Sequence, residues 1–142
     1  MEHIRDVLYT IDDWYDGARD GAASFRGTPV RYRSVFRDTE TWDADEDRFE
    51  LTSISEALLT AMIEVDLLWQ RWDDARKAGA LPQNAPGELP PLPEDRERYA
   101  ALTTRIDADL AALRPTVLAR GTFDYARQRV EWTPIAYAEL QL

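Results

Sequence analysis

Apolar positions along the chain recur at two periods. Over 54–78, Ile54, Leu58, Met62, Val65, Leu68, Trp69 and Trp72 step by three and four, and Glu56, Thr60, Glu64, Arg71 and Asp74 lie off that stripe. This spacing predicts a helix with both tryptophans in the core, opened by a Ser53/Glu56 capping box and stopped by Gly79. A second helix is expected from Glu94 to Leu113, on the stripe Tyr99, Leu102, Ile106, Leu110 and Leu113. Pro93 suits its first turn, and Glu94 and Asp95 complement the positive end of its dipole. Between the two, Pro82, Pro86, Pro90, Pro91 and Pro93 leave only a semi-rigid extended connector over 80–93.

Elsewhere the period is two. Residues 22–25 and 30–37 flank a turn at Arg26-Gly27-Thr28-Pro29 and predict a hairpin. Val30, Tyr32 and Phe36 would share one face, with Arg31, Arg33, Val35 and Arg37 on the other. Arg48–Thr52 reads as a short strand, and 116–123 with 129–133 as a second hairpin ended by Pro134. Residues 4–15 satisfy both periods, but the hairpin that follows favours a strand over 5–11. Residues 16–21, with two glycines and two aspartates, read as a turn. Strands therefore segregate from helices. The expected fold is α+β, a small antiparallel sheet packed against two antiparallel helices in one domain over 1–142. Within it, 1–52 is mainly β, 53–79 and 94–114 are helical, and 115–134 is a β-hairpin.

Composition narrows the chemistry. The 142 residues include no cysteine and one histidine, His3, which excludes thiol chemistry, disulfides and His- or Cys-built metal sites. A net charge of −10 opposes binding to nucleic acid or an anionic membrane, and no apolar run reaches the length of a membrane span. The start, Met-Glu-His-Ile-Arg-Asp, lacks a secretory layout, so a cytoplasmic protein without a cofactor is expected. Neither a P-loop, a dinucleotide-binding glycine pattern nor a nucleophile elbow is present. Charge is unevenly spread: 21–37 carries four arginines and no acid, whereas 38–50 carries seven acids against Arg48. The plain reading is two solvated segments that compensate across a strand pair.

Two stretches look motif-like. Asp12, Asp13, Asp16 and Asp20 crowd four carboxylates into nine residues. Crowded carboxylates raise one another's pKa, which makes Asp13 and Asp16 candidate acid/base groups. Trp14 and Tyr15 would wall a ligand that also meets Arg31 and Arg33. The plain alternative is a solvated turn whose aspartates cap backbone amides. Asp43-Ala44-Asp45-Glu46-Asp47 has calcium-loop spacing, yet Arg48 and Ile54 stand where that motif needs glycine and glutamate, so no metal is expected. Trp42 among these acids suits a loop that presents Trp42, Asp43, Asp45 and Asp47 to a basic protein partner.

The strings Asp13-Trp14-Tyr15-Asp16-Gly17, Gly21-Ala22-Ala23, Gly27-Thr28-Pro29, Trp69-Gln70-Arg71-Trp72 and Val130-Glu131-Trp132 resemble a family of small bacterial hypothetical proteins. Ala18 departs from a proline frequent there. The resemblance carries no activity, cofactor or catalytic residue with it. The residues favour a small acidic interaction protein, such as an inhibitor, immunity or accessory factor. The alternative is a small-molecule-binding protein or minor enzyme with its site at the 12–20 carboxylate turn.

Overall fold

The computed structural model describes residues 5–14, 17–35, 47–79 and 89–137. Seven antiparallel strands form one sheet: β1 (Asp6–Val7), β2 (Asp13–Trp14), β3 (Ala18–Phe25), β4 (Thr28–Ser34), β5 (Arg48–Ser53), β6 (Val117–Asp124) and β7 (Arg129–Tyr137). Helix α1 (Glu56–Lys77) follows β5, and a 3₁₀ turn (Pro93–Asp95) leads into α2 (Arg96–Ala111). The α+β class is as expected. The sheet is not small: its order is β1-β7-β6-β5-β4-β3-β2, curled into a half-barrel.

Residues 6–14 draw the two edges together. Asp6 and Val7 pair with β7, Leu8 bridges to Ala23 of β3, and Asp13 and Trp14 pair with β3. Between these pairings the Tyr9 and Thr10 amides donate to the Ala22 carbonyl, and the Asp12 amide donates to Asp20 O at 2.7 Å. The crossing needs Gly21. A Cβ there would lie 2.2 Å from the Thr10 carbonyl oxygen and 2.6 Å from the Tyr32 hydroxyl. A buried carboxylate pins the start of the segment: Asp6 accepts from Ser24 Oγ at 2.8 Å and from the Gly27 amide at 3.1 Å.

Alternation fills the half-barrel. Tyr32, Phe49, Phe123 and Trp132 point inward, and every pair of these four rings lies 5.5–5.9 Å apart between centroids. Their polar tips are satisfied as burial demands. Tyr32 Oη donates to Thr10 O at 2.7 Å, and Trp132 Nε1 donates to Ser24 O at 3.0 Å. Gly121 faces Trp132 across the β6–β7 pair and makes room for it, since a Cβ there would meet the indole at 2.5 Å. The helices form a second core on the outer face of β3, where Ala22 meets Leu58, Met62 and Leu102. Arg98 bridges α2 to Glu64 of α1, and Arg71 bridges α1 to Asp95.

Several expected boundaries move. Residues 18–21 are strand rather than turn, because the N-terminal segment supplies β3 with a pairing partner along that stretch. The helix cap is Ser55, whose side chain accepts from the Leu58 amide; Ser53 ends β5 instead. The second helix begins at Arg96, after the 3₁₀ turn, and ends at Ala111. Strand β7 runs through Pro134 because a register irregularity places that residue opposite Ala119, where the missing N–H is tolerated. No helix among the described residues is long and apolar enough to cross a membrane.

Candidate ligand-binding cavity

A cavity of about 510 Å³ lies between the N-terminal segment and the helix pair. One wall is the strand side, with Tyr9, Asp12, Asp13 and Trp14. The facing wall is helical: Val65, Asp66, Trp69 and Gln70 of α1, with Tyr99 of α2. Tyr125 and Gln128, from the β6–β7 connection, complete it.

The local sequence explains both walls. Pairing along β3 carries residues 9–14 past Ala22 and Asp20 to the place where the helices pack. On α1 the buried face runs through Leu58, Met62 and Leu68, while Val65, Asp66, Trp69 and Gln70 turn to its flank. Tyr125 Oη accepts from the Ala18 amide at 2.9 Å, and its ring stacks on Phe123. Trp14 leans on Tyr125 with centroids 5.0 Å apart and planes tilted by 56°. Four of the eight exposed large apolar side chains among the described residues, Tyr9, Trp14, Trp69 and Tyr125, line this one cavity. Such concentration marks a contact surface rather than scattered surface apolarity.

Charge is one-sided. Among the described residues no arginine, lysine or histidine lines the cavity, whereas Asp12, Asp13 and Asp66 do. Asp12 is exposed by surface area because it opens onto the cavity. Protein packed around its carboxyl nevertheless strips much of its hydration, and that governs its titration. Burial and then the charge of Asp20, with a smaller push from Asp66, raise Asp12 to about 7, against the pull of a Thr10 hydrogen bond and, more weakly, of Arg31. Burial also raises Asp66, partly offset by the hydrogen bond it accepts from Gln70. The Tyr99 hydroxyl is raised by burial and by Asp12.

The residues singled out from sequence scatter. Asp13 and Trp14 line the cavity and are exposed; Tyr15 and Asp16 lie outside the described residues. Arg31 does not line the cavity. It is held charged by Asp20, to which it donates two hydrogen bonds at 2.8 and 2.9 Å. Arg33 is exposed and sits opposite Glu50 in the β4–β5 register. Trp42, Asp43 and Asp45 fall outside the described residues, while Asp47 accepts from Arg120 at 2.7 Å. Trp69, expected in the core, is 42% exposed and forms part of the helical wall. Sequence reasoning missed Asp66, Gln70, Tyr99 and Tyr125. The one available signal was a helix stripe too wide for a single face, with Leu68 and Trp69 adjacent.

Among the described residues no group of three or more His, Asp or Glu side chains converges as a metal site. The arrangement suits a positively charged organic ligand: carboxylates supply charge and acceptors, and aromatic faces attract cations. No family model, curated protein or solved structure matches the chain.

Proposed function

We propose that this chain is a binding protein for a small organic cation, held between residues 8–14 and α1. The composition of the cavity wall carries this reading: three carboxylates and several exposed aromatics, with no basic side chain among the described residues. A volume of about 510 Å³ falls within the usual range for small-molecule sites. Hard metal ions need six or more oxygen ligands, which this mixed wall does not offer. An anion would meet uncompensated carboxylates. A cation on Trp14 or Trp69 gains about 0.5–2 kcal/mol per ring, more as water leaves.

The test is thermal unfolding with charge-matched probes. Benzylamine at about ten-millimolar concentration should raise the melting temperature progressively, benzoate should not, and Asp12→Asn should abolish the response. Equal stabilisation by benzoate, or none by any cation, would overturn the reading. A basic protein partner for the acidic stretch with Trp42, Asp43, Asp45 and Asp47 is set second. Asp47, the one of these within the described residues, already gives its carboxylate to Arg120.

A further inference from the structure

Asp12 and Asp66 enter the cavity from opposite walls, one from the strand segment and one from α1. We infer that the ligand's charged group is a primary ammonium or a guanidinium, with several N–H donors, carried on a flat apolar body, and not a quaternary ammonium. This rests on the cavity being a cation site and names the class of cation it takes.

The hydrogen-bond inventory supports the choice. Gln70 spends its amide N–H on Asp66, which leaves its carbonyl oxygen free to accept. The Thr10 hydroxyl accepts from the Ala22 amide and gives its own proton towards Asp12. Each carboxylate thus has one neutral donor and acceptor capacity to spare, on facing sides of one space. A quaternary ammonium has no N–H. Filling the cavity with one would exclude water and leave those acceptors desolvated and unpaired, which is costly. An ammonium or guanidinium reaches both walls with charge-assisted hydrogen bonds.

The aromatics fit the remainder of such a ligand. Trp14 and Tyr125 meet at 56°, so their planes diverge, and Trp69 adds a ring from the helical wall. They offer flat faces to a ring or planar chain, flanking the acids instead of enclosing a point charge. A cage for methylated ammonium would depend on the rings alone.

Calorimetric titration of the full chain at about pH 8, where Asp12 carries its charge, separates the possibilities. The probes are benzylamine, benzylguanidine and benzyltrimethylammonium. The first two should bind at least about tenfold tighter than the third, and Asp66→Asn should reduce that preference to about threefold or less. Asparagine keeps the shape of Asp66 and a hydrogen bond to Gln70. If the variant fails to fold, the preference of the unaltered chain decides alone. Equal or tighter binding of benzyltrimethylammonium overturns the inference and leaves the cation site standing. A preference that survives Asp66→Asn overturns the role given to Asp66. If none of the three cations binds, the cation site itself is wrong.

Discussion

The half-barrel interior and the cavity beside it use the same kinds of residue to opposite ends. Inside, four rings touch one another, and the Tyr32 hydroxyl and Trp132 indole N–H both end on backbone carbonyls. In the cavity, Trp14 and Trp69 are 57% and 42% exposed, and carboxylates crowd without a basic side chain on the described wall. In the first region the rings are packed and their polar tips paired; in the second, aromatic faces stay exposed and Asp12 and Asp66 each have a single neutral donor. Stability resides in the interior, then, whereas the cavity leaves aromatic faces and carboxylates exposed.

Substitutions should separate the two regions. The largest loss is expected from Trp132→Ala, about 3–5 kcal/mol in urea unfolding, because the other three rings cannot collapse into the space. Gly21→Ala should cost about 2 kcal/mol or more, since its Cβ would collide with the Thr10 carbonyl and lift the edge-joining segment. If it costs nothing, the segment is not held as described. Tyr32→Phe should lose about 1–2 kcal/mol by leaving the buried Thr10 carbonyl without its donor.

The cavity should respond with the opposite sign. Asp12 has an ordinary value of 3.8 in the unfolded chain and about 7 in the native one. Between those values the native state holds a proton that the unfolded chain has released, so stability falls as pH rises from about 4 to about 7. Asp12→Asn should therefore stabilise the protein above pH 7, by about 1 kcal/mol once screening by cavity water is allowed for, and hardly at all near pH 4. Melting curves of both proteins across that range check it; destabilisation at high pH would contradict the strained carboxylate. Smallest in stability is Trp14→Ala, expected within about 0.5 kcal/mol, yet weakening a bound cation about three- to thirtyfold.

How much of this the sequence held depends on the range of the interactions. Alternation at Val30/Tyr32 and Val130/Trp132 places the inward face correctly, and the three–four spacing places α1, because both periods are local. The extent of the sheet was not legible. Strand character at 18–21 comes from β4 on one side, at Asp20 and Gly21, and from residues 9–14 on the other, and nothing in the Asp-Gly pairs signals that second partner. Of the clustered aspartates at 12–20, Asp12 and Asp13 line the cavity and Asp16 lies outside the described residues. Asp12 is raised first by burial and then by Asp20, with a smaller push from Asp66, which arrives from a helix position more than fifty residues away. Trp69 was misassigned for a related reason: a helix stripe reveals apolarity, not which part of it a neighbour covers.

The most direct measurement is nuclear magnetic resonance of the tryptophan indole N–H groups during titration with benzylamine at about pH 8. The expected result is a saturable shift of the Trp14 and Trp69 signals, with the Trp132 signal unmoved and Asp12→Asn abolishing the change. Trp14 and Trp69 signals that stay fixed at saturating amine, or a Trp132 signal that moves as far as theirs, would contradict a cation site in this cavity.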